Sequence, residues 1–371
     1  MRTVFRFFLP PPAAPALVDD ADVKRVYRHF RIRILYSLLF GYALFYFCRK
    51  NYSIVMPAMA RELALTNTQL GLIGGLLYVT YGVGKLVNGA LGDHVDSRRF
   101  IVLGLFLTAL ANLAFAESSG VASLAIFWAA NGWFQSMGFP PCARLLSHWY
   151  SVSERGRTWA LWNTSHQLGA FAVAGFVGLL AERYGFRSGF VIPALLCIAG
   201  CVLLWERLRD TPSSLGLPPI DRFRDDYEHD AEGRIISDEP ETLRQILFQR
   251  VLRSRAVWLV SLFNFFVYWV RSGAFDFATK FLVEQKGIPL RTGGVVTSAF
   301  ELLGIPGSLL AGLLVDRYLR GQHARVSCVA MLLTAGALVA FYYIPANQPW
   351  LDGAAMGLLG FAIYEIGRAH V

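Results

Sequence analysis

Apolar runs of about twenty residues recur along this chain of 371 residues, and nothing else in it constrains the fold as strongly. As a helix, a run of that length crosses a hydrocarbon core about 30 Å thick. Spans are expected at 34–60, 68–91, 99–116, 121–145, 157–181 and 187–206, then at 255–284, 291–315, 324–344 and from 350 onward. The composition agrees: 16% of residues are charged and 55% hydrophobic, against about a quarter charged in soluble domains. The expected fold class is an all-α membrane protein. A formal charge of +9 would point to nucleic acid in a soluble chain. Here it reflects the Lys and Arg that collect in cytoplasmic loops, so no nucleic-acid partner is expected.

Those charges orient the spans. Lys24, Arg25, Arg28, Arg31 and Arg33 precede the first span, and Arg98, Arg99, Arg155, Arg157, Arg317, Arg320 and Arg325 fall in loops on the same side. The opposite side holds Arg61, Arg183, Arg187, Lys286 and Arg291. The excess places the N-terminus in the cytoplasm. Residues 1–33 then read as a cytoplasmic tail, 34–206 as a six-helix half, 207–253 as a Pro- and charge-rich cytoplasmic linker, and 254–365 as an incomplete second half. In the linker, Leu243, Ile246, Leu247 and Val251 recur at helical spacing, as in an amphipathic helix lying on a membrane. Shifted by 223 positions, Gly71, Gly84, Gly89 and Asp93 meet Gly294, Gly307, Gly312 and Asp316. Such internal repeats mark transporters whose halves rock about a central site. The last span is short, and 366–371 matches the translation of a common sequencing adapter, so a truncated chain with an artefactual tail is expected.

Two arginines stand out from this background. Arg49 lies in FGYALFYFCRKN (40–51), and Arg271 in the aromatic run FNFFVYWVRSGAFDF. An arginine at the centre of a membrane helix costs about 2.5–3.5 kcal/mol even on a lenient insertion scale, so one that persists marks a ligand or ion path. The bland alternative is that each snorkels to an interface. The matched placement in two similar halves favours one anion recognised by both. A phosphate monoester carries about −1.5 to −2 charges near neutral pH, and a planar guanidinium meets its oxygens with paired N–H donors, which lysine cannot do. His166 could add a proton-dependent charge. Asp93 with Arg98 and Arg99, and Asp316 with Arg317 and Arg320, read as conformational latches on the cytoplasmic side. The five cysteines form no CxxC pair and no zinc spacing, so neither a metal nor a cofactor is implied. Ser165 adjoins His166 without a carboxylate placed to complete a triad, and no enzyme is expected.

GWFQSMGFPPCARLLSHWYSVSERGR (132–157), FGYALFYFCRKN (40–51), LWNTSHQLG (161–169) and RLRDTPSSLGLPP (207–219) resemble the organophosphate:phosphate antiporter family of the major facilitator superfamily. The resemblance covers residues 25–364 and is nearest the hexose-phosphate transporter and sensor branch. It implies two six-helix halves, here truncated to ten helices, in a bacterial inner membrane. It implies exchange of a sugar phosphate or related organophosphate for inorganic phosphate. The alternative is a non-transporting hexose-phosphate receptor, whose partner would be a membrane histidine kinase. Carried over by position, Arg49 and Arg271 become the phosphate-binding pair, with His166, Tyr42, Tyr46, Tyr268 and Lys50 at the same site. Lys50, Lys85, Asp276 and Glu301 match charged residues linked to inter-helix ion pairs. The chain departs from the commoner pattern at Gln167-Leu168-Gly169-Ala170 and at Phe277, which bears on substrate choice and leaves the arginines untouched.

Overall fold

Where the apolar runs are unbroken the chain is helical, and no strand occurs among the described residues. The computed structural model describes residues 7–227, 251–317 and 323–368, with the side chains of 309, 311–317, 323, 324, 326 and 365–368 outside that set. The helices are α1 (Asp20–Glu62), α2 (Asn67–Gly92), α3 (Ser97–Glu117), α4 (Val121–Gln135), α5 (Phe139–Trp149), α6 (Val152–Tyr184), α7 (Ser188–Arg207) and the short α8 (Ile220–Arg224). After the linker come α9 (Arg255–Gln285), α10 (Leu290–Arg317), α11 (His323–Tyr343) and α12 (Pro349–Arg368). Helices α1, α2, α3, α6 and α7 each carry an 18-residue window apolar enough to cross a membrane. The expected span 121–145 is not one helix. Residues 136–138 form a turn, and Phe139-Pro140-Pro141 restart the chain as α5. Proline lacks the N–H a helix interior needs, and is tolerated in a first turn, where that donor has no partner anyway.

The chain divides into two compact units. The first draws on Met1–Arg49, Asn67–His166 and Phe190–Pro240, the second on Lys50–Thr66, Gln167–Gly189 and Glu241–Val371. Helices α1 and α6 contribute to both, and their changeovers fall between Arg49 and Lys50 and between His166 and Gln167.

In the first unit α2 packs along α4. Gly132 permits the approach, because a Cβ there would collide with the Leu77 carbonyl oxygen. The Thr80 hydroxyl crosses the same seam to the Ala129 carbonyl at 2.7 Å. Trp128, Trp149, Trp162, Phe45 and Phe115 are wholly buried in this unit. At one end, Asp210 of the RLRDTPSSLG segment accepts from the Ser97 amide at 3.0 Å and pairs with Arg144 at 3.7 Å. Arg144 also donates to the Gly92 and Val95 carbonyls, so this segment ties the α2–α3 turn to α5. The proline-rich tail is bonded as well: the Ala14 amide donates to Ser213 and the Leu17 amide to Gly216.

In the second unit α10 packs along α12, and the seam repeats the same device. A Cβ on Gly360 would collide with the Phe300 carbonyl oxygen, and Phe300 lies 223 positions after Leu77. Lys286, in the loop between α9 and α10, is buried and ion-paired with Asp352 of α12. The linker helix expected at 243–251 lies outside the described residues, apart from Val251.

Candidate functional site

Arg49 sits in the first unit, and its turn of α1 is held from outside. Asn112 of α3 and Asn131 of α4 both donate to the Cys48 carbonyl, at 3.1 and 2.8 Å, and Gln135 donates to the Phe45 carbonyl at 2.8 Å. These buried amide N–H groups donate to backbone oxygens that already serve the helix, and so fix the rotation of α1 at Arg49. The guanidinium lies 4.1 Å from the centre of the Tyr81 ring, 5.6 Å from Tyr46 and 5.8 Å from Tyr78. Spacing explains the cage: Tyr42, Tyr46 and Arg49 share a face of α1, and Tyr78, Tyr81 and Lys85 share a face of α2. Lys85 lies 5.0 Å from Tyr81 and 4.8 Å from Phe139. From α6, Trp162 packs at 4.9 Å on Tyr42, and His166 at 5.6 Å on Tyr46.

Electrostatically this cluster is one-sided. Among the described residues neither Arg49 nor Lys85 has a carboxylate within ion-pair distance, and the buried Nε of Arg49 has no hydrogen-bond partner. Ring faces attract a cation only modestly, about 0.5–2 kcal/mol. Two cations among tyrosines therefore leave positive charge for an anion to answer.

The second unit treats its charges differently. Lys50 pairs with Asp276 of α9 at 2.8 Å, and Ser53 donates to the same carboxylate at 2.9 Å. The Lys50 ammonium also lies 4.5 Å from the Phe275 ring centre. Arg271 donates to the hydroxyl of Tyr364, which donates in turn to Glu301 at 2.5 Å. Arg271 lies 4.4 Å from the Tyr364 ring and 5.5 Å from the exposed Tyr268.

The structure thus gathers Arg49, Tyr42, Tyr46, Lys85 and His166 in one unit, and Lys50, Asp276, Arg271, Tyr268 and Glu301 in the other. Tyr78, Tyr81, Tyr364 and the three amides were not anticipated. Asn112, Asn131 and Gln135 carried a readable signal, since a polar side chain in an apolar helix demands a partner. At the α2–α3 turn, Asp93 is exposed. It is Asp96 that caps α3 and pairs with Arg99 at 3.3 Å, while Arg98 lies over Trp205. The side chains of Asp316 and Arg317, and all of Arg320, lie outside the described residues.

A family model described as Major Facilitator Superfamily matches residues 38–369. The chain belongs to the Major Facilitator Superfamily. A probable hexose phosphate transport protein of Chlamydia pneumoniae is 38% identical, over 98% of this chain and 82% of its own length. A glycerol-3-phosphate transporter of Bacillus subtilis is 35% identical, over 97% and 82%. A membrane sensor protein, UhpC, of Salmonella typhimurium is 37% identical, over 96% and 80%. These relatives put the chain in the organophosphate:phosphate antiporter branch of the superfamily, as its motifs led us to expect. The fold is shared more widely. A bacterial homologue of the human lysosomal transporter Spinster superposes with a TM-score of 0.73 at 17% identity, covering 91% of this chain and 74% of that one. The chain is accordingly an integral membrane protein of a transporter family and not an enzyme.

Proposed function

We propose that this chain exchanges a sugar phosphate or related organophosphate for inorganic phosphate across a bacterial inner membrane, with its N-terminus in the cytoplasm. The observation that carries this reading is the Arg49–Lys85 cluster, two cations among tyrosines with no carboxylate in ion-pair reach among the described residues. Arg49 takes phosphate oxygens, Arg271 supplies the second guanidinium, and His166 adds charge when protonated. The named activities of the hexose phosphate and glycerol-3-phosphate relatives support the substrate class.

The test is counterflow of labelled inorganic phosphate in proteoliposomes, with glucose 6-phosphate on the opposite side. A hydrogen bond to a charged group contributes about 1.5–3 kcal/mol, so Arg49→Lys and Arg271→Lys should each weaken phosphate binding roughly 10- to 150-fold. Exchange that survives both substitutions would overturn the proposal. Saturable glucose 6-phosphate binding without exchange would instead mark a receptor, a role that the sensor relative keeps in view.

A further inference from the structure

The first unit has a second cationic feature, unconnected with the Arg49 cluster. A cleft of about 550 Å³ runs beside the start of α1, lined at one end by Lys24, Arg28, Arg31 and Arg224. One carboxylate, Glu154, answers two of these, Arg31 at 2.6 Å and Arg224 at 2.9 Å. Lys24 and Arg28 are exposed and have no ion pair among the described residues. The neighbouring carboxylates Asp22 and Asp221 are engaged by Arg25 and Arg155. Positive charge is therefore in excess.

The same face of α1 then changes character. Ile32, Leu35 and Leu39 continue the cleft wall, at the three- and four-residue spacing that puts them in line with Arg28. Ile32 is 60% exposed. Here the apolar run of the first span begins, so the cationic turns sit at the polar boundary of the membrane and the apolar wall faces its hydrocarbon. A free phosphate or an acidic peptide would use the cations and leave the apolar wall bare. A ligand with an anionic head and hydrocarbon tails uses both.

We propose that this cleft is a binding site for an anionic phospholipid, its phosphate held by Lys24 and Arg28 and its acyl chains laid along Ile32, Leu35 and Leu39. The Tyr150 hydroxyl, which donates to the Arg31 carbonyl at 2.7 Å, and Phe223 close the far side. The bound lipid would brace α1 against α8 and the α5–α6 turn.

Native mass spectrometry of the full chain in mixed micelles tests this, with phosphatidylglycerol and phosphatidylcholine of identical chains as probes. Phosphatidylglycerol should be retained preferentially. The K24Q/R28Q double variant should lose that preference, by about fivefold per charge removed and so roughly 25-fold. Both positions are exposed, and the lipid-free variant should melt with the wild type. Glycerol 1-phosphate and inorganic phosphate should not displace the lipid. Equal retention of the two lipids by the wild type, unchanged preference in the double variant, or displacement by either tail-less anion would each overturn the site.

Discussion

Lys50 and Asp276 meet at 2.8 Å although 226 positions separate them, and both side chains are nearly buried. Removing one partner of such a pair strands the other, at about 3–5 kcal/mol, whereas replacing both with apolar residues is often close to neutral. Lys50→Met and Asp276→Leu should therefore each lower the thermal midpoint strongly, and the double variant should recover much of the loss. Strictly additive losses in that cycle would show that the two charges do not depend on each other. Both charges could be read from the sequence, but nothing local told their partners. Tyr364 was less legible still. An aromatic residue in an apolar helix is ordinary, and only its hydroxyl, set between Arg271 and Glu301, gives it a role.

Helix ends and seams carry the next tests. Asp96 caps α3 by accepting from the Arg98 and Arg99 amides. Burial nonetheless lifts its carboxyl above the usual range, and the charge of Asp210 adds to that effect while the Arg99 amide opposes it. A carboxyl raised in the folded protein favours folding most below its unfolded value, about 3.9, and that contribution is lost as pH rises through the folded value. Asp96→Asn keeps a good cap and removes the titrating charge. Thermal midpoints from pH 3.5 to 7 should show the wild type losing this increment with rising pH and the variant not losing it. Equal pH slopes would sink the assignment. At the α10–α12 seam, Gly360→Ala forces a methyl into the Phe300 carbonyl, and overpacking of this kind costs about 1–3 kcal/mol. The midpoint should fall accordingly, and Gly132→Ala should do the same against Leu77. Gly336, with nothing near its would-be Cβ, serves as the control in the same assay.

For the whole molecule, the proposed exchange has an energetic consequence. With no anion bound, Arg49 costs about 2.5–3.5 kcal/mol in a closing membrane cavity, and about 2.8 kcal/mol is a hundredfold in an equilibrium. An empty carrier would then close on the order of 1% of the time. Efflux of preloaded phosphate into substrate-free medium should run roughly a hundredfold slower than exchange, and comparable rates would exclude obligatory coupling. Much of this was legible beforehand, because the signals are short-ranged. Apolar run length dictates membrane helices, and motifs within single segments carry the family, while the anion that two arginines in such runs suggest belongs to the proposed function. Tertiary structure alone decided what answers each charge. It gave Arg49 tyrosines from α2 and a turn pinned by amides from α3 and α4, gave Lys50 an aspartate, gave Arg271 a tyrosine, and broke the fourth span at its prolines' turn. Helical periodicity relates residues three or four apart, whereas a buried charge is stabilised by whichever group packing brings within a few ångströms, however distant in the chain.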